Sequence, residues 1–100
     1  MIHLNEQQKR HLRRLGHQLK PVVRMGGAGL TANVLDEIGQ ALDAHELIKV
    51  KILADNRAER KALVETICRD CDATLVQAMG HVALIFRRSR IEKKRTIALP

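Results

Sequence analysis

The stretch PVVRMGGAGLTANVLDEIGQALDAHELIKVKIL, residues 21–53, decides the fold. Pro21-Val22-Val23-Arg24-Met25 is short and β-branched, and its leading proline suits a strand whose first residue needs no ladder donor. Gly26-Gly27-Ala28-Gly29 breaks that strand. Thr31 then caps a helix in which Val34, Leu35, Ile38, Ala41 and Leu42 form one apolar stripe. Asp36 and Glu37 lie near its start and His45 near its end, the order that the helix dipole favours. Leu47 to Leu53 alternates, with Ile48, Val50 and Ile52 on one face and Lys49 and Lys51 on the other. That pattern predicts a half-buried strand with a solvated or ligand-facing side.

N-terminal to this stretch, Asn5 to about Leu19 reads as a helix with Leu12, Leu15 and Leu19 on one face. Asn5 and Gln8 are spaced as a capping box, and Gly16 weakens the last turn. Lys9, Arg10, Arg13, Arg14 and His17 occupy most of the remaining surface. On the other side, Asp55-Asn56 turns the chain into a helix from about Arg57 to Cys71, with Glu59 as capping partner. Its apolar stripe is Leu63, Val64, Ile67, Cys68 and Cys71. Thr74–Met79 and Val82–Arg87 read as strands joined by Gly80-His81, a two-residue hairpin with glycine first. The order is α-β-α-β-α-β-β. It predicts an α/β two-layer sandwich, a four-stranded mixed sheet with helices mainly on one face.

A chain of 100 residues with 45% hydrophobic and 29% charged content is expected to form one domain, residues 1–100, ending in a basic tail from about residue 87. A domain of this size buries roughly 60–70% of its unfolded surface, enough for a core without metal or disulfide. The longest apolar run, Val82 to Phe86, is too short for a membrane span, and Met1 to Lys20 is too charged for a signal peptide. A cytoplasmic monomer with no membrane contact is expected.

The net charge of +7 suggests a polyanionic partner. Residues 1–35 carry six bases and one acid, residues 36–72 six bases and nine acids, and residues 73–100 six bases and one acid. Should the termini meet in space, the molecule is bipolar. Phe86 is the single aromatic residue, so base stacking on exposed rings is excluded as the main mode of recognition. Phosphate contacts, backbone amides and shape remain.

Glycine accepts positive φ and lets main chain approach a ligand closely, so Gly26-x-x-Gly29 before a helix N-terminus is the sharpest feature. No Lys-Ser/Thr pair follows it, which excludes a Walker-type loop, and the glycines miss the Rossmann offsets. A KH-like clamp on a single-stranded backbone is left. Cys68-Arg69-Asp70-Cys71 has a C-x-x-C spacing but lacks a second ligand pair for zinc. It also falls on the apolar stripe at a helix C-terminus, so the pair reads as structural. The five histidines are scattered, and Asp36, Glu37, Asp43 and Glu46 read as a solvated face. No catalytic residues, no metal site and no cofactor are expected.

Pro21-Val22-Val23, Gly26-x-x-Gly29-Leu30-Thr31 and His45-Glu46-Leu47-Ile48-Lys49-Val50-Lys51 together resemble the CRM domain (chloroplast RNA splicing and ribosome maturation) in its stand-alone bacterial, YhbY-like form. The resemblance runs from Leu4 to the Ile97-Ala98-Leu99-Pro100 end. It implies a fold similar to the C-terminal domain of bacterial translation initiation factor three. It also implies an RNA-binding assembly factor, not an enzyme, on large ribosomal subunit precursors. The family's RNA-contacting G-x-x-G carries over to Gly26 and Gly29. Where family members often place a basic or polar residue inside the loop, this chain has Gly27 and Ala28, leaving more to amides and to Lys20 and Arg24.

The expected RNA-binding residues are therefore Gly26, Gly27, Ala28, Gly29 and Thr31 in the loop and Lys20 and Arg24 beside it. Arg10, Arg13 and Arg14 on the first helix and Arg87 and Arg88 in the tail complete the set. A DNA-binding basic module and a protein-interaction adaptor are the alternatives.

Overall fold

The computed structural model describes residues 2–100. Its elements are α1 (Glu6–Gly16), β1 (Pro21–Arg24), α2 (Ala32–His45), β2 (Leu47–Lys51), α3 (Arg57–Asp70), β3 (Thr74–Met79) and β4 (Val82–Phe86), with a 3₁₀ turn at Glu92–Lys94. This is the α-β-α-β-α-β-β order that the sequence predicts.

Caps written in the sequence set the helix starts. The Asn5 side chain accepts the Gln8 N–H at 2.8 Å while the Gln8 side chain accepts the Asn5 N–H at 3.0 Å. Thr31 Oγ1 accepts from the Val34 N–H, and Asn56 Oδ1 from the Glu59 N–H. Each satisfies a donor that the first helical turn would otherwise leave unpaired. The Glu59 carboxylate accepts from Asp55 N–H, one residue earlier than a capping box requires.

The sheet order is β1-β2-β4-β3. β1 and β2 are parallel, joined through α2, and β2, β4 and β3 are antiparallel. Gly80, at φ +56°, turns the β3–β4 hairpin. Alternation sorts the side chains onto two faces. Val23, Ile48, Val50, Ile52, Ala83 and Ile85 meet Ile38 and Leu42 of α2 and Val64, Ile67 and Cys68 of α3. Leu47, Val76, Leu84 and Phe86 meet Leu4 and Leu12, with Ile97 and Leu99 laid against them. Two helices thus cover one face, while α1 and the C-terminal segment share the other.

α1 ends at Gly16, short of the expected Leu19, and its buried side is Leu12 and Gly16; Leu15 and Leu19 are exposed. The reason is close approach. A Cβ on Gly16 would lie 2.7 Å from Leu84 Cδ2, so the bare glycine lets the last turn of α1 sit directly on the sheet. A larger residue there would hold the helix off β4.

Candidate nucleic-acid interface

The glycine loop stands open. Gly26, Gly27 and Ala28 are exposed. The Gly29 N–H donates to Gly26 O at 3.0 Å, closing a tight turn, and the Thr31 N–H donates to Gly29 O at 3.1 Å. Gly29 has φ +80°, a conformation that L side chains rarely adopt. A Cβ on Gly26, Gly27 or Gly29 would meet nothing within 4 Å. No neighbour in the fold therefore demands bare main chain at Gly26 or Gly27. Thr31 then starts α2, and Lys20 and Arg24 flank the loop in exposed positions.

A second feature lies on the α1 face of the sheet. Arg10, Arg13, Arg14 and His17 of α1 and its C-cap join Lys49 of β2 and Gln77 and Met79 of β3 around a trough of about 520 Å³. The Lys49 ammonium is steadied by donating to Leu19 O at 2.9 Å. Arg13 reaches Glu6 at 3.7 Å, an exposed pair that weakly offsets its charge. The sheet register carries positive charge from this trough toward the loop: Pro21 pairs with Lys49, and Arg24 with Lys51. Loop and trough form one cationic tract across β1 and β2. Lys49, His17 and Gln77 are not among the RNA-binding residues expected from sequence, although the alternation marks the Lys49 face as solvated or ligand-facing and His17 falls with the basic surface of α1.

Arg87 does not belong to this tract. It is buried, with Nη1 donating to Cys71 O at 2.7 Å and Nη2 to Gly39 O at 2.9 Å and Asp43 Oδ1 at 2.8 Å. These bonds tie α2, the end of α3 and β4 together, so the guanidinium is structural and the expectation of an RNA contact is corrected. Arg88 is half-buried, its guanidinium 5.9 Å from the Phe86 ring centroid, donating to Ile97 O and lying 3.9 Å from Glu46. It holds the C-terminal segment while keeping part of its charge at the surface.

The segment after β4 is correspondingly not a free basic arm. Glu46, fully buried at φ +66°, accepts the N–H groups of Ser89 at 2.9 Å, Thr96 at 2.8 Å and Ile97 at 3.1 Å. Asp43 accepts the Arg90 N–H at 2.8 Å. The expected solvated acidic face is thus corrected for these two residues, while Asp36 and Glu37 are exposed. Burial works to raise the Glu46 pKa, but the three N–H donors and Arg88 outweigh it and hold the carboxyl below its usual value. For Asp43 burial is likewise outweighed, by the Arg90 N–H and Arg87. The chain's ends meet in space through their uncharged residues: Ile97 and Leu99 pack in the cluster of Leu4 and Leu12, and the Gln8 side chain donates to Pro100 O at 3.2 Å, while Arg87 and the turn that carries Lys93 and Lys94 pack against α2.

Thiol chemistry finds no support here. Cys68 and Cys71 are free and buried, and burial with the neighbouring Cys71 pushes the Cys68 thiol up to about 11. Burial also raises Cys71. Such thiols stay protonated at neutral pH. Among the described residues no group of three or more His, Cys, Asp or Glu side chains could hold a metal ion.

The chain and its fold have counterparts among known proteins. The model of the CRS1/YhbY (CRM) domain matches residues 4–87. The chain belongs to the CRM domain family. A Haemophilus influenzae protein named "RNA-binding protein" is 43% identical over 93 residues, covering 93% of this chain and 94% of that protein. The Bacillus subtilis protein named "Probable RNA-binding protein YqeI" is 33% identical over 97 residues, covering 97% and 99%. The solution structure of SAV1595 from Staphylococcus aureus superposes with a TM-score of 0.81 at 37% identity, covering 98% of this chain and all of that one. This CRM domain therefore shares its architecture and length with stand-alone bacterial members.

Proposed function

We propose that this protein is an RNA-binding factor that docks on ribosomal RNA in large-subunit precursors, acting as a cytoplasmic monomer and not as an enzyme. The reading is carried by the exposed residues Gly26, Gly27 and Ala28 and by the open space around Gly26, Gly27 and Gly29, set at one end of a cationic tract. Gly26, Gly27, Ala28 and Gly29 appose the sugar–phosphate backbone, and the start of α2 behind Thr31 presents its positive dipole end to a phosphate. Lys20 and Arg24 flank that contact; Arg10, Arg13, Arg14 and Lys49 take the neighbouring phosphates in the trough. The RNA-binding names of relatives at 43% and 33% identity support the reading. The ribosomal target rests on the family resemblance.

Electrostatic binding of this kind weakens steeply with salt, because each neutralised phosphate releases condensed counterions. The test is a titration of structured ribosomal RNA and of duplex DNA of equal length at several salt concentrations. The RNA is expected to win the competition, with log K falling by roughly 0.7 per neutralised phosphate for each unit of log[salt] on single-stranded segments. Equal affinity for duplex DNA would favour a general nucleic-acid module. Affinity indifferent to salt would remove the phosphate contacts.

A further inference from the structure

The trough has a counterpart on the opposite face of the sheet. Between α3 and β3 lies a groove of about 490 Å³ whose floor is Ile52, Val64, Leu75 and Val82 and whose rim carries Arg57, Arg60 and Lys61. Among the described residues none of these three cations is ion-paired; one carboxylate, Glu65, lines the groove with them. Three uncommitted cations around an aliphatic floor are not needed by the core.

The position of this groove says what fills it. β3 alternates between the two cavities: Gln77 and Met79 line the trough, while Leu75 and Ala78 line the groove. The bulge at Val76 resets that alternation. The β3–β4 hairpin is therefore a wall with a cationic channel on either side, and its tip, Gly80 and His81, is exposed. The tip is fixed in place by the Ile52 N–H, which donates to His81 O at 2.6 Å.

Resting on the RNA reading above, we propose that the α3 groove is a second RNA site. A single strand held in the α1 trough passes over the hairpin tip, and its next nucleotides lie in the groove with phosphates on Arg57 and Lys61. Sugar and base edges rest on the aliphatic floor. A cavity of this size is within the range of nucleotide-scale ligand sites. Single-stranded segments, with their bases splayed apart, are the form of RNA that can follow such a turn.

The experiment measures binding of oligouridine strands of increasing length to the full chain, as wild type, as R57Q/K61Q and as A78E. All three positions are exposed, so a thermal melt is expected to show folded proteins. Wild-type affinity should rise with strand length after the trough is filled. R57Q/K61Q should lose about tenfold on long strands, with a salt slope lower by about 1.4, and match wild type on the shortest strand that binds. A78E, which puts a carboxylate into the groove, should show the same length-dependent loss. Length-dependent affinity that survives both changes would overturn the second site alone. A wild type that binds structured ribosomal RNA but none of these strands would likewise overturn the second site alone, and one that binds neither would overturn the RNA reading with it.

Discussion

The carboxylate of Glu46 and the backbone N–H of Ser89, 43 residues apart in the chain, meet at 2.9 Å in the interior. Through this bond and those to Thr96 and Ile97, one side chain at the end of α2 folds the C-terminal segment back onto the sheet. A carboxylate satisfied by several N–H donors is favourable where an isolated buried charge would be expelled. Ile97 and Leu99 then complete the apolar cluster under α1.

Removing that carboxylate should unfasten the segment. Glu46→Ala is expected to cost about 3 kcal/mol, since one buried and two half-buried N–H donors lose a charged acceptor together. Urea denaturation should show the loss, and hydrogen exchange at Thr96 and Ile97 should accelerate. Stability unchanged from wild type would mean the bonds carry no net weight.

The same group fixes the acid limb. Folding holds the pKa values of Glu46 and Asp43 below their usual values. Their contribution to stability is therefore complete above the unfolded values, about 4, and is lost as pH falls through the lowered folded values. The urea midpoint should change little through these groups between about pH 7 and 5 and drop below about pH 4. Glu46→Gln should flatten that drop; an identical acid limb in the variant would assign it elsewhere.

Two arginines of the sequence expectation should behave oppositely. Arg87→Ala leaves Asp43 and two backbone carbonyls without their buried partner and is expected to destabilise by about 3–5 kcal/mol. Arg14→Gln, at an exposed position in the trough, should leave the melting temperature in place and lower RNA affinity, with the salt slope shallower by about 0.7. A melt beside a binding isotherm for each variant separates them. RNA affinity unaffected by Arg14→Gln would remove α1 from the interface.

Gly26 and Gly29 divide the loop's two uses of glycine. Gly29→Val forces a β-branched residue into φ +80° and should cost about 1–2 kcal/mol of stability before any ligand is added. Gly26→Val has open space around it and should fold normally, yet lose about tenfold or more in RNA affinity by holding the backbone off the phosphates. Normal RNA affinity in folded Gly26→Val would reduce the loop to a turn.

Much of this molecule was legible in local patterns. Periodicity and caps gave the elements and their order, because Asn5, Thr31 and Asn56 act within a single turn of chain. What escaped were roles set by long-range contacts. Glu46 and Asp43 read as surface acids because nothing nearby in sequence reveals that Ser89 to Ile97 returns to them. Arg87 follows an apolar strand and looks like the first residue of a tail, yet α2 and α3 close over it. Gly16 reads as a weak helical residue, while its value lies in Leu84, 68 positions away. Lys49 was visible on the polar face of its strand, but only the packing of α1 brings Arg10 and Arg14 opposite it.

RNA binding at this interface depends on main chain at Gly26–Gly29 meeting a sugar–phosphate backbone, and amide chemical shifts during an RNA titration read that contact out. The predicted result is that the amides of Gly26, Gly27, Ala28 and Gly29 move together with those near Arg14 and Lys49, while those of Asp36 and Glu37 on the outer face of α2 stay still. Shifts that leave the glycine amides unmoved while the RNA is bound elsewhere would contradict it.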